Sequence, residues 1–178
     1  MTRSLNLFGL IFLLVLLAVW ATYFFLKKDL PKLYINELMA SNSSCCPGIL
    51  PDADKAHDWI EIYNGGSTAV DIGGMYLSQN VKKPLQYPIP KTHPELTTLQ
   101  PGGFLLLLAD GSSGEGVLHL DFKLDQDGEF IGLNNEEGRQ IDTLSFGKQK
   151  ENISFGRASD GAATWKEFSI PTPGKSNL

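Results

Sequence analysis

The hydrophobic pattern opens with an uninterrupted apolar run near the amino terminus. The run begins at Leu5 and ends at Leu26, contains 22 residues without a charge, and is closed by Lys27 and Lys28. A helix of that length spans roughly 33 Å, which matches the hydrocarbon core of a bilayer. The pattern therefore predicts a single transmembrane α-helix, within an anchor over residues 1–28.

A cleaved signal peptide is the alternative interpretation of this run. Val19 and Ala21 place small residues at the two positions that a signal peptidase reads. The run is longer than the apolar region of an ordinary signal peptide, and it continues past Ala21 into aromatic residues. We therefore favour a retained anchor, followed by a linker at residues 29–32.

Beyond the linker, the pattern changes to short apolar or alternating runs separated by Gly, Pro, Asn and Asp. Such runs, with a turn every 8–12 residues, are typical of an antiparallel β-sandwich. The sequence predicts an all-β domain over residues 33–178. The expected strands are 33–39, 58–63, 69–72, 75–78, 104–109, 117–122, 129–133, 140–146, 153–157 and a piece near Trp165.

Two of these strands carry specific expectations about burial. The run 104–109 is almost continuously apolar and is expected to be covered on both faces. Trp59 and Phe104 are expected to be core aromatics. Glu61 should point away from the core if Ile60 and Ile62 point inward, or cap a buried backbone group if they do not.

Composition and charge narrow the range of functions. The chain has 178 residues and a net charge of −5. Residues 29–178 hold 12 basic and 20 acidic side chains, so the domain is clearly acidic. An acidic surface matches a polyanion poorly, and we therefore expect no nucleic-acid partner.

Histidine offers few candidates for chemistry. His57-Asp58 and His119-x-Asp121 contain pieces of a metal or acid–base site, and residues two apart on a strand share a face. Their spacing implies no third ligand, so ordinary surface or loop histidines are the favoured interpretation. We expect no catalytic residue and no enzymatic activity.

An acidic loop provides a candidate cation site. Asp52, Asp54 and Asp58 supply closely spaced carboxylates, and Ca²⁺ prefers six to eight oxygen ligands. The glycine and the distal acid of an EF-hand loop are missing, and Lys55 lies among the carboxylates. A solvated acidic loop is the favoured interpretation, with Ca²⁺ as the alternative and no cofactor otherwise expected.

Cys45 and Cys46 are the two cysteines of the chain. Adjacent cysteines do not easily bridge each other without strain. The sequence leaves open whether they are reduced, bonded to a partner chain or simply exposed in a loop. No nucleophile motif surrounds them.

Several motifs, in order along the chain, resemble the lamin tail domain family, in its bacterial membrane-anchored form. The matching stretches are 35–42 (INELMASN), 58–64 (DWIEIYN), 70–78 (VDIGGMYLS), 99–104 (LQPGGF), 122–124 (FKL), 128–129 (GE), 132–133 (GL), 154–157 (SFGR), 160–161 (DG) and 171–177 (PTPGKSN). The resemblance implies an immunoglobulin-like sandwich with a role in binding or assembly. It implies no catalysis, because the family has no shared active site.

The functional hypothesis joins the anchor to the domain. We expect a non-enzymatic, single-pass membrane protein that contacts other membrane subunits as an accessory part of a larger assembly. The alternative is a surface module that binds a glycan or Ca²⁺. Bacterial relatives implied by the resemblance favour an extracytoplasmic or periplasmic domain, whereas Lys27, Lys28 and Lys32 favour the opposite orientation.

Overall fold

The computed structural model describes residues 7–26, 29–48 and 55–177, with side chains from residue 9 to residue 20 in the first of these ranges. The chain divides into two compact units, Met1–Leu30 and Pro31–Leu178.

The first unit contains the helix α1, Leu7–Leu26. Its described side chains, Gly9 to Trp20, are all exposed within this unit. Among the described residues, no helix combines the length and the hydropathy that crossing a bilayer requires. The transmembrane helix expected from Leu5 to Leu26 is therefore not supported by the structure.

The second unit is built from short strands with two brief helical turns. Its described strands are β1 (Leu33–Met39), β2 (Trp59–Asn64), β3 (Val70–Asp71), β4 (Tyr76–Ser78), β5 (Tyr87–Pro88), β6 (Thr98–Leu99), β7 (Phe104–Leu108), β8 (Phe130–Asn134), β9 (Gln140–Ser145), β10 (Ser154–Arg157) and β11 (Trp165–Phe168). The turns are the short helix α2 (Pro94–Thr97) and a 3-10 turn at Ser113–Glu115.

The strands form two main antiparallel sheets, as an immunoglobulin-like sandwich requires. The first sheet has the order β11-β10-β1-β2-β7, and the second has the order β5-β4-β8-β9. Strands β3 and β6 form a separate pair. The pairing of β1 with β2 shifts register between Ile35 and Glu37, so Asn36 forms a bulge in the first sheet.

The main core lies where residues of both sheets pack together. Strands β1 and β2 contribute Leu33, Ile35, Ile60 and Ile62, and all four are fully buried or nearly so. The second sheet contributes the other half of the core, with Leu77, Ile131, Leu133 and Leu144. Apolar side chains that alternate along the strands thus account for the interior.

The first sheet is also covered on its outer face. Met39, Trp59, Leu106 and Leu108 form a second apolar cluster there, with Cys45 and Cys46 packed against it. Strand β7 therefore contributes alternate residues to both clusters, which confirms the prediction that it is covered on both faces. Phe104 is in neither cluster; it is partly exposed and stacks on Tyr63 at 5.0 Å, so its assignment to the core was wrong.

One predicted strand does not form. Residues 117–122 make only a single bridge to the first sheet, between His119 and Leu108. The buried positions of this segment are Val117, Leu120 and Phe122, which do not alternate as strand residues would. The segment passes the end of β7 and fills the end of the core instead of extending the sheet.

Candidate functional site

A cluster of polar side chains lies at one end of the first sheet. His57 precedes β2 and Asp110 follows β7. Because β2 and β7 are antiparallel, with Trp59 opposite Leu108, the start of one strand lies beside the end of the other. The bridge between Leu108 and His119 places a second imidazole at the same end.

The two imidazoles converge on one carboxylate oxygen. Asp110 Oδ2 lies 2.7 Å from His119 Nδ1 and 3.7 Å from His57 Nδ1. The rings of the two histidines meet edge to face, with centroids 6.3 Å apart. The other oxygen of Asp110, Oδ1, accepts a hydrogen bond of 3.0 Å from the backbone N–H of Ser112. That bond fixes the orientation of the carboxylate.

Glu115 adds a second carboxylate to this cluster. It lies in the 3-10 turn between Asp110 and His119. One ligand atom from each of Asp110, Glu115 and His119 lies within 4.8 Å of the others. Within the described ranges, this is the one group of at least three such residues with metal-ligand spacing.

The carboxylate that the two imidazoles share belongs to neither of the histidine motifs seen in the sequence. His57 and His119 lie close together, but the carboxylate between them is that of Asp110. Asp121 is exposed to solvent. Asp58 accepts a hydrogen bond of 2.9 Å from the backbone N–H of Asn42. Sequence reasoning missed Asp110 and Glu115; the available clue was an aspartate followed by glycine at the end of a buried strand.

A shallow polar cleft of about 520 Å³ lies beside Asp58. Asn42, Lys123 and Gln126 contribute to its lining. Burial raises the pKa of the Asp58 carboxyl, while the N–H of Asn42 and the charge of Lys123 act in the opposite direction. Asp52 and Asp54, the other members of the candidate cation site, lie outside the described residues, so the choice between a solvated loop and a Ca²⁺ site stays at the level of the sequence.

The two cysteines are joined to each other. Cys45 and Cys46 form a disulfide, an outcome that the sequence left open and did not favour. Cys46 adopts a left-handed backbone conformation, with φ of 67°. Both residues pack on the outer apolar cluster of the first sheet.

A second polar group is buried beneath the carboxyl-terminal segment, which we define as residues 170–177. Glu37 and Glu61 are neighbours across β1 and β2, and both are fully buried. Thr172 donates to Glu37 through its backbone N–H and its hydroxyl, and Ser154 donates through its hydroxyl. Glu61 accepts hydrogen bonds from Asn36 Nδ2 at 3.0 Å and from the N–H of Gly174 at 2.7 Å.

This group answers the question that the sequence left open for Glu61. Ile60 and Ile62 point into the main core, and Glu61 points to the other face, where it also caps a backbone N–H. Burial raises the pKa of Glu61 to about 8. The negative charges of Glu37 and Asp160 act in the same direction, while the two hydrogen bonds oppose them.

Residues 27–148 match the sequence model of the Lamin Tail Domain family. The chain belongs to the lamin tail domain family. No curated protein and no solved structure matches the chain significantly. Lamin tail domains are immunoglobulin-like, which agrees with the antiparallel sandwich described above, and they are generally non-enzymatic. The matched region includes the histidine cluster, Glu37 and Glu61 but ends before the carboxyl-terminal segment.

Proposed function

We propose that the protein is a non-enzymatic accessory subunit of a membrane assembly, in which the lamin tail domain contacts neighbouring proteins. The apolar run from Leu5 to Leu26 holds the chain at the bilayer in this proposal. The observation that supports it most is the distribution of exposed apolar side chains in helix α1.

Helix α1 exposes large apolar side chains on every side. Within residues 10–20 the exposed set is Leu10, Ile11, Phe12, Leu13, Leu14, Val15, Leu16, Leu17, Val19 and Trp20. A helix that is apolar all round is stable only when lipid or other protein surrounds it. The run is also free of charge over its 22 residues. Lipid contact satisfies both properties.

Membrane attachment is tested by fractionation of the full chain and of a double variant, Leu13→Arg with Leu17→Arg. An arginine at the centre of a membrane helix costs about 2.5–3.5 kcal/mol, so the variant should leave the membrane fraction. The control pairs Val81→Arg with Ile170→Arg, which charge two exposed apolar positions of the sandwich. Extraction of the wild-type chain by alkaline carbonate would refute anchoring in the bilayer.

The side of the membrane is a separate part of the proposal. We place the domain outside the cytoplasm, and the disulfide between Cys45 and Cys46 supports this, since disulfides persist mainly in oxidising compartments. Reporters fused after Leu178 test the orientation. A phosphatase that requires oxidation should be active there, whereas a fluorescent cytoplasmic reporter should be dark; the reverse result would move the domain to the cytoplasm.

The accessory role predicts a stable partner. The full chain, solubilised in mild detergent, should migrate as part of a larger complex and retain the same membrane subunit through two purification steps. An isolated monomer with no retained subunit would contradict the accessory role while leaving the anchoring result unaffected.

A further inference from the structure

We propose that His57, Asp110, Glu115 and His119 form a binding site for a divalent transition-metal ion, with Zn²⁺ as the preferred ion. The site is independent of the membrane role proposed above. It is argued from the close approach of two imidazoles and two carboxylates, one of them from His57 and the other three from residues 110–119.

The residues are held by different elements that the fold brings together. His57 lies immediately before β2, and Asp110 lies just after β7. Glu115 belongs to the 3-10 turn, and His119 is tied to the end of β7 by its bridge with Leu108. An ion held by all four would fasten the loop between Asp110 and His119 to the sheet.

Burial holds most of the proposed ligands in place before an ion binds. The side chains of Asp110, His119 and His57 are only 5%, 10% and 16% exposed, respectively. Glu115 is 51% exposed and forms an ion pair of 3.6 Å with Lys55. Three ligands are therefore fixed by packing, and the fourth lies on the solvent side, where an ion can enter.

The donor set favours zinc over a hard cation. Ca²⁺ and Mg²⁺ prefer oxygen ligands alone, whereas Zn²⁺ binds imidazole nitrogen and carboxylate oxygen together. The two negative charges of the carboxylates of Asp110 and Glu115 also balance the double positive charge of Zn²⁺. The backbone N–H of Ser112 donates to Asp110 Oδ1 and leaves Oδ2 directed at the imidazoles, which is the outer-shell support that metal ligands usually receive.

The distances suit a tetrahedral ion after small movements. With metal–ligand bonds of about 2.0–2.2 Å, neighbouring ligand atoms in a tetrahedral site lie roughly 3.4 Å apart. The separations between Asp110 Oδ2 and the two Nδ1 atoms, 2.7 and 3.7 Å, lie on either side of that value. Shifts below one ångström would bring these two pairs to that spacing, and the nearest ligand atom of Glu115 lies within 4.8 Å of those of Asp110 and His119.

The competing explanation is a metal-free hydrogen-bond network, in which Asp110 simply accepts from His119. The two explanations differ in what the second histidine and the exposed carboxylate contribute. A hydrogen-bond network between Asp110 and His119 does not require His57 or Glu115 and does not bind zinc saturably. A metal site requires these two side chains as ligands and binds zinc saturably.

The test is calorimetric titration of the full chain with ZnCl₂ in mild detergent, under non-reducing conditions that keep the Cys45–Cys46 disulfide intact. We expect one zinc ion per chain. His57→Gln, His119→Gln and Glu115→Gln should each weaken binding by at least about tenfold. His93→Gln is the matched control, because the third histidine of the chain pairs with Glu95 away from the cluster. Its affinity for zinc should equal that of the wild type.

Folding of the variants is checked by circular dichroism, and Co²⁺ provides a second readout on the unchanged chain. Tetrahedral Co²⁺ with nitrogen and oxygen ligands absorbs strongly in the visible range. If His119→Gln does not fold, the exposed-site variant Glu115→Gln and this spectrum decide the question. Absence of saturable zinc binding, equal binding in all four variants, or a weak octahedral cobalt spectrum would overturn the proposal.

Discussion

Replacing Glu61 by glutamine tests a buried acid whose pKa is strongly raised in the folded domain. Glu61 is fully buried and lies directly across from Glu37, which is also buried. Like charges at directly opposed strand positions repel, and desolvation adds a larger penalty for the ionised form. Glutamine at position 61 keeps the size of the side chain but cannot ionise.

The size of the effect follows from the two pKa values of Glu61. The carboxyl has a pKa of 4.5 when unperturbed and about 8 in the folded domain. Between these values the folded chain binds the proton and the unfolded chain does not. The free energy of unfolding therefore falls by about 1.4 kcal/mol for each pH unit in that window. The contribution of protonated Glu61 to the free energy of unfolding is complete below pH 4.5. About 4 to 5 kcal/mol of that free energy is lost once the pH passes about 8.

The glutamine variant has a cost that does not depend on pH. Glu61 accepts from both Asn36 and Gly174, one bond on each oxygen. A glutamine amide has only one oxygen, so one of these bonds is lost at a cost of about 1 kcal/mol. Glu61→Gln should thus be less stable than the wild type near pH 4 and more stable by about 3–4 kcal/mol near pH 9, with the two stability profiles crossing near about pH 5.

The assay is urea unfolding of the full chain at half-unit steps from about pH 4 to pH 9, followed by near-ultraviolet circular dichroism. The difference between the two profiles isolates Glu61 from other titrating groups. Glu167→Gln, at an exposed position, controls for the change in net charge. Parallel profiles for the wild type and Glu61→Gln would show that Glu61 titrates normally and would refute the reasoning.

Two further predictions concern stability. Asp142→Asn removes the carboxylate that binds the buried Arg157 through two bonds of 2.8 and 3.0 Å, and should cost about 3–5 kcal/mol in chemical unfolding. Removing the exposed ion pair of Lys150 by Lys150→Met should cost at most about 1 kcal/mol. Equal losses of stability in Asp142→Asn and Lys150→Met would contradict the conclusion that the buried ion pair is the stronger one. Gly128→Ala should lower the melting temperature far more than Gly102→Ala. Both glycines have positive φ, but only a Cβ at position 128 meets backbone, within 2.4 Å of the Phe146 oxygen; similar melting temperatures would refute the steric explanation.

The fold was largely predictable because its strands obey simple alternation. Strand β1 was predicted with the bounds that the structure shows, and β2, β7 and β9 differ by only one residue at either end. The two-residue strands β5 and β6 were missed, since a segment that short carries no periodic pattern. The segment 117–122 was predicted wrongly because its β-rich composition matched a strand although its buried positions did not alternate.

The polar clusters were less predictable than the fold, for a physical reason. The contact between Asp110 and His119 depends on the path of a loop with a 3-10 turn, and no periodicity describes such a path. His57 joins them only because β2 and β7 pair in one register. The sequence could identify imidazoles and carboxylates as candidates, but their convergence is a property of the tertiary fold.

The hydrogen bonds of the buried Glu37 and Glu61 show that the folding unit extends beyond the region that matches the family. Both lie in the region that matches the family, residues 27–148, but several of their donors lie beyond it, in Thr172 and Gly174. Without Thr172 and Gly174, the side chains of Glu37 and Glu61 would lose hydrogen bonds that they accept. Each buried acceptor left without a donor costs about 1–3 kcal/mol. Strand β10, the neighbour of β1 in the first sheet, also follows residue 148. The folding unit therefore includes the carboxyl-terminal segment, because that segment supplies hydrogen bonds that the buried acids of β1 and β2 use.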